Sequence, residues 1–441
     1  MKKRWKKIMC CLTLAALCAG CSPKGQAKAP AKDEAVKQES QLEGKEKKKV
    51  TLQFVHLMNS PYYESMVRLT DHYSELHPEI TFEQEVLKAD ARYTVLKSRI
   101  ASGETPDLFM SVESGPSMGQ WADAALDLSG EPWWDKIDEN VIPMITYDGK
   151  RIALPFNSNV WGLLYNKDVF EAAGITEHPE TLSELKAVCE QLKKAGYTPF
   201  GAGFKDAWVG QQLLHHPFGN DIGSYEEIQA RFEQYTNKEA KVSDDTWLGK
   251  ILDLIEIVKD NCQQNPFNSD STMQYQMLAD GEVGMIVQGD WAEPAARLIN
   301  PDTNIGIMYL PLSEDPADAK IYTQYAARTI FVGKDTGNEE EALEFVNWLV
   351  TDDWVKEWYN TDFLCIAPIE GVAPADPSIQ ILEDGLKLME NKERIAPWGK
   401  SLAPAELFAK FPSIQDDFIL GNKTKDEVIE TISQEWENFA Q

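Results

Sequence analysis

The sequence predicts an α/β fold built on parallel strands with helical crossovers. Three observations carry this. Residues 50–112 read strand, helix, strand, helix, strand in quick succession, the pattern of a parallel sheet. After Gly149 short apolar strands again alternate with amphipathic helices. The chain has 441 residues, 43% hydrophobic and 26% charged, enough for two or three domains or one large bilobed body.

The chain opens on an address. MKKRWKK is basic, and Ile8–Ala19 is an apolar run too short to span a bilayer comfortably. Small residues Ala19-Gly20 precede Cys21. This resembles a bacterial lipoprotein signal, which implies cleavage before Cys21 and lipidation of its thiol. Cys18 departs from the pattern, which usually has Leu there, and an ordinary secretory peptide cut nearby is the alternative. Residues 22–49 hold no aromatic and almost no large apolar side chain, so they read as a tether that cannot offset the entropy of ordering.

Val50–Leu57 is apolar and β-rich, a buried strand. Ser60-Pro61 opens a helix with Met66, Leu69, Tyr73 and Leu76 on one face, ended by His77-Pro78. Ile80–Val86 is the second strand. Ala91–Ser102 is the second helix, with Gly103 past its end, and Leu108–Val112 is the third strand. Further on, Ile152–Pro155 and Gly162–Tyr165 read as two short strands. Thr181 and Glu184 form a capping box before Leu185, Val188 and Leu192. Thr246–Cys262 is an apolar helix, and Val283–Val287, Ile305–Leu310 and Thr329–Val332 are strands. Asn338 caps a helix whose first turn carries Glu339, Glu340 and Glu341. The last hundred residues are mostly helical.

Charge excludes one class of partner. Lys plus Arg is 43 and Asp plus Glu is 71, a net charge of −28. Removing the five basic residues of the signal leaves 38 against 71, or −33. An anionic duplex is repelled, so nucleic acid is not expected as a partner. Cys189, Cys262 and Cys365 remain beyond Cys21, an odd and widely spaced set that implies no disulfide framework. The six histidines fit no zinc spacing. No metal and no cofactor are expected.

Asp148–Ile175 reads DGKRIALPFNSNVWGLLYNKDVFEAAGI. Its Gly149-Lys150, Leu154-Pro155, Leu164-Tyr165-Asn166-Lys167-Asp168, Phe170 and Ala173-Gly174 resemble the core motif of the bacterial extracellular solute-binding proteins, family 1, the sugar-type binding lipoproteins of ABC importers. His77-Pro78, Pro106-Asp107, Trp121-Ala122-Asp123 and Gly289-Asp290-Trp291-Ala292 resemble further landmarks of that family. The resemblance covers about residues 50–441 and is weakest over Ser224–Asp245 and the C-terminal tail.

The resemblance implies a two-lobed periplasmic-binding-protein-like fold, type II, with each lobe a sheet flanked by helices. It places a signal at 1–20 and a lipidated tether at 21–49. The N-terminal lobe is 50–156 with 309–333, and the C-terminal lobe is 160–305 with 336–441. Hinge crossings fall near 156–159, 307–311 and 332–337. It implies a monomer, lipid-anchored on the outer face of the bacterial cell membrane, that binds a carbohydrate and docks on an ABC permease.

A pyranose has apolar faces for indole rings and a rim of hydroxyls for Asp, Asn, Glu and Arg. Trp291 follows a Gly turn at a strand end with Asp290 beside it, where ligands gather in open α/β sheets. Trp208 and Trp398 lie in irregular or polar stretches, and Trp161 adjoins the first hinge. Asn59 and Glu113 follow the first and third strands, and Asn157 and Asn159 flank the hinge. For each, core packing, capping or turn formation is the competing reading. Arg328 ranks lower, because a salt bridge explains it equally well. Trp348, Trp354 and Trp358 read as core residues on their helical spacing, and Trp121, at the start of a helix, reads as core too.

Two other functions compete. Gly115-Pro116-Ser117-Met118-Gly119 matches the nucleophile elbow of a secreted esterase. Against it, the last histidine is His216, and Pro116 restricts the preceding residue. A binding protein for a polyamine or peptide is the third reading, since Glu113 and Asp290 beside aromatic rings suit a cation.

Overall fold

The computed structural model describes residues 48–439 apart from 88–91, 113–114, 364 and 373–379. The signal, Cys21, most of the tether and Glu113 therefore lie outside the described residues. The strands are β1 (Val50–His56), β2 (Ile80–Val86), β3 (Leu108–Ser111), β4 (Thr146–Tyr147), β5 (Lys150–Arg151), β6 (Leu154–Asn166), β7 (Thr198–Phe200), β8 (Val283–Gly289), β9 (Ile305–Met308), β10 (Ile321–Val332) and β11 (Ile395–Pro397). Strands β4 and β5 form a small hairpin; the other nine form one sheet.

The main path of that sheet runs β2-β1-β3-β10-β6-β8-β7, with β9 also on β6 and β11 on β10. Strands β1, β2 and β3 are parallel, as the opening run predicts. Strand β10 then runs antiparallel to both β3 and β6. The sequence reads 152–165 as two short strands; the structure has one strand of 13 residues, buried throughout. At about 3.3 Å per residue it spans roughly 40 Å, long enough to serve two cores. Its apolar ends sit in those cores, and the polar Asn157-Ser158-Asn159 between them occupies the seam.

The first core gathers Leu52, Phe54, Phe109, Phe156, Ile330 and Phe331 with Phe345 and Trp358. The second lobe has a cluster on each face of its sheet. Trp161, Leu163 and Tyr165 of β6 enter one, and Val160 and Leu164 enter the other, as the period-two alternation of a strand requires.

These cores redraw two of the expected boundaries. The resemblance places residues 309–333 in the N-terminal lobe, yet Leu310, Leu312 and Tyr322 pack in the second lobe. The cause is pairing: β9 bonds to β6 at residues 163–166, and Leu310 bridges to Lys320. Nor does 336–441 belong wholly to the C-terminal lobe. Helix Glu339–Thr351 lays Phe345 against Tyr73 at 5.0 Å and Phe82 at 4.8 Å, and the first core continues to Ile369. The chain therefore changes core three times: between Phe156 and Val160, between Tyr322 and Ala326, and between Ile369 and Ile381. The expected crossings near 307–311 and 332–337 fall inside single lobes.

Two smaller expectations also change. The Asn338 side chain makes no cap; it reaches Asp107, while Glu339 accepts the N–H groups of Thr336 and Gly337. Trp354 is 36% exposed and stacks on His72 at 3.8 Å instead of entering the core. Among the described residues no helix is long and apolar enough to cross a membrane.

Candidate functional site

The seam between the cores carries a polar cluster. Asn157 and Asn159 come from β6, Arg328 from β10, and Asp290 from the residue after β8. The register explains the gathering. Asn157 opposes Arg328 and Asn159 opposes Gln324, so β10 carries extra residues here as a bulge. Such a bulge re-aims side chains and bends a strand. Asp290 donates its backbone N–H to Val160 O at 2.9 Å, which ties the end of β8 to the same point.

Asn159 joins the two charges. Its Nδ2 donates to Asp290 Oδ1 at 2.6 Å, and its Oδ1 accepts from Arg328 Nη1 at 3.3 Å. Arg328 also reaches Asn157 Oδ1 at 3.5 Å and lies 5.9 Å from the Tyr62 ring centroid. Burial pushes the Asp290 carboxyl up to about 7, against the opposing pull of the Asn159 amide, the Val160 backbone and Arg328. Burial likewise raises the Cys365 thiol, which sits beside the Tyr62 hydroxyl. Asp290 Oδ2 and Arg328 Nε have no hydrogen-bond partner among the described residues. A buried acceptor and a buried donor left open on two residues that both bond Asn159 are what a polyol can satisfy, since each hydroxyl both donates and accepts.

The tryptophans divide. Trp291 is half-buried beside Asp290, and its six-membered ring rests on Gly289. Trp208, at the start of helix Ala207–His215, is also half-buried and packs against the same two clusters of the second lobe as Trp291. Trp161 is fully buried and donates Nε1–H to Gln212 Oε1 at 2.8 Å. Its ring stacks on His216 at 4.3 Å, and His216 stacks on Trp398 at 4.4 Å. Trp161 is thus packed between Gln212 and the His216 ring. Asn59 is exposed, and its carbonyl accepts the Tyr63 N–H.

The sequence reading missed Tyr62, Tyr275 and His216. Tyr275 sits beside Trp291. His216 is visible in the sequence only as half of a His pair, and nothing there signals its sandwich between two indoles.

A cavity of about 910 Å³ lies between the lobes. Tyr93, Gln120 and Tyr147 line it from the first lobe, and Gln211, His215 and Phe232 from the second. None of the eight ligand candidates among the described residues lines it. Ser117 does, across from His215. It sits within the 3-10 helix Gly115–Trp121, not at a strand-to-helix elbow. The His215 imidazole packs edge-on against Phe408 at 4.9 Å.

Comparison with known proteins follows the same lines. The family model for "Bacterial extracellular solute-binding protein" matches residues 59–356. The multiple sugar-binding protein of Streptococcus mutans is 24% identical over 284 residues, 63% of this chain and 66% of that protein. The maltotriose-binding protein of Pyrococcus abyssi is 24% identical over 397 residues, 86% of this chain and 81% of that protein. Among solved structures, the solute-binding protein RafE in complex with raffinose superposes with a TM-score of 0.72 at 21% identity, covering 89% of this chain and all of that one. A chitin oligosaccharide binding protein gives 0.73 at 18% identity, covering 88% and 99%. At these identities the structural likeness speaks for the fold alone.

Proposed function

We propose, from the premise that this chain belongs to the bacterial extracellular solute-binding protein family, that it captures a sugar or oligosaccharide between its lobes. It then hands the ligand unaltered to the permease of an ABC importer. The observation that carries the reading is the Asp290–Asn159–Arg328 cluster at the seam, with Trp291 beside it. Asp290 Oδ2 accepts one ligand hydroxyl, Arg328 Nε–H donates to another, and Trp291 covers a sugar face.

Both open atoms are shielded from solvent in this conformation, so ligand reaches them when the lobes part. Contacts made only on reclosing then drive the transition. In this reading the relatives' sugars, maltotriose and raffinose among them, belong to the same chemical class as the ligand here. Cys21 carries the lipid that holds the monomer at the outer face of the cell membrane. No bond of the ligand is made or broken.

Thermal-shift and calorimetric titration of the full-length protein in detergent against a saccharide panel tests this. The expected result is a raised melting temperature with one glycan and its recovery unchanged. Hydrolysis of an ester substrate that disappears in Ser117→Ala would replace the carrier with an esterase. Stabilisation by spermidine or a peptide, with no response to any glycan, would replace the sugar.

A further inference from the structure

Helix Ala292–Ile299 begins at Trp291, its N-cap residue, so the seat of the helix sets where that indole stands. We infer that Glu293 is a positioning residue for the ligand platform: it locks this helix onto helix Gln380–Met389, the element on which the chain re-enters the second lobe. This deepens the carrier reading and rests on it.

The first observation is what the helix buries. It has eight residues, too few to hold together without tertiary contacts. Its buried apolar side chains are Ala292 and Ala296, with Ala295 packed at the edge of the same cluster. Its large apolar residues face outward: Leu298 is 63% exposed and Ile299 38%. Alanines bury little area, and apolar contact has no direction. The remaining buried residue is Glu293, which is fully enclosed. Its carboxylate is the directional contact of this helix.

The second is how that carboxylate is held. Oε1 accepts from Arg297 Nε at 2.9 Å and lies 2.7 Å from Nη2, one helical turn on. Oε2 accepts the backbone N–H of Ile381 at 3.0 Å. Each oxygen thus has its own partner. A buried ion pair adds little net stability over apolar side chains of similar volume. Charge-assisted bonds do fix distance and angle, and that is what this pair supplies.

The third is where the bonds lead. Ile381 lies in the first turn of helix Gln380–Met389, after the chain's third change of core. That helix is pinned at two further points. Asp384 pairs with Lys167, just past β6, at 2.8 Å, and Leu388 O accepts from the Tyr309 hydroxyl at 2.8 Å. At the far end of the shorter helix, Asn300 Nδ2 donates to Ala279 O at 3.0 Å. Helix Ser271–Ala279 therefore holds the far end, and Glu293 holds the near end, two residues from Trp291. The Glu293 N–H also donates to Asp290 O at 3.4 Å. Asp290 and Trp291 are thereby tied to an element that receives the chain from the other lobe.

The test is fluorine NMR of the full-length protein in detergent, labelled with fluorotryptophan, with the Trp291 resonance assigned from Trp291→Phe. In the ligand-free protein, Glu293→Ala should move or broaden that resonance and leave those of Trp348 and Trp358, in the first core, in place. Glu293→Gln keeps an oxygen for the Ile381 N–H and should restore most of the wild-type position. Thr181→Ala, a cap variant of another helix, controls for general loosening and should leave the resonance unmoved. Arg297→Ala, at a half-buried position, should move the same resonance and carries the test where Glu293→Ala does not fold. An unmoved Trp291 resonance overturns the role, and so does a shift shared by every tryptophan or by the Thr181 control. Titration with maltotriose and raffinose extends the reading to binding. For whichever binds, Kd is expected to rise about fivefold or more in Glu293→Ala, the scale of a displaced aromatic contact, and by under about twofold in Glu293→Gln. Unchanged affinity in Glu293→Ala overturns the positioning role and leaves the carrier standing. Failure of the wild type to bind any saccharide overturns the carrier reading, while the resonance still decides whether Glu293 holds Trp291.

Discussion

The six-membered ring of Trp291 rests on the backbone of Gly289, where an added Cβ would come within 2.1 Å of Cζ3. The indole therefore holds its place beside Asp290 because residue 289 has no side chain. Gly289→Ala pushes the ring away. The expected outcome is a shift in tryptophan fluorescence and a saccharide Kd raised about tenfold. Unchanged affinity would show that the ring position does not matter for binding.

Truncating the ring itself is the companion experiment. Trp291→Ala should weaken ligand binding by about 1 kcal/mol or more, the scale of an aromatic contact. Calorimetry reads it directly. Wild-type affinity in this variant returns Trp291 to a packing role.

Asp290 predicts a pH dependence of stability. Its carboxyl is raised from 3.8 to about 7 in the folded protein, chiefly by burial. Between those values the native state holds a proton that the unfolded chain has lost. Stability therefore falls as pH rises from about 4 to about 7, by up to about 1.4 kcal/mol per pH unit, and levels off above. Urea unfolding across that range should show the slope in wild type and a flatter profile in Asp290→Asn. Identical profiles would mean that Asp290 is ionised in the fold.

Thr181 caps helix Leu182–Ala195 through a reciprocal pair with Glu184. Thr181→Ala should cost about 1 kcal/mol in urea unfolding, with ligand affinity kept. A loss of affinity at matched occupancy of the folded state would contradict a purely local role.

Cys21 is tested in cells. Cys21→Ser should move the protein from the membrane fraction to the medium or periplasm without altering sugar binding. Persistence in the membrane fraction rules out the thiol as the anchor.

The parallel start of the sheet was legible because β1 and β2 alternate apolar with polar residues and β3 is an apolar run, each bounded by Gly, Pro or polar turns. The same rule failed on β6. Asn157-Ser158-Asn159 looks like a loop in sequence, yet it lies in strand because two cores meet there and leave room for polar groups. Asp290 and Trp291 were readable from their position just past a strand. Arg328 ranks low in the sequence because nothing there shows that the amide oxygens of Asn157 and Asn159 accept from it. Trp161 lies among aromatic rings that are distant along the chain, so nothing in the sequence signals its surroundings.

Strands β6 and β10 run through both halves of the molecule. Scission of the backbone near Ser158 would strip each half of a strand that its own sheet needs, so neither fragment is a self-sufficient folding unit. Co-expressed pieces can regain the native state only by finding each other, which makes this seam a natural place for a complementation reporter and a poor one for dissecting the halves singly.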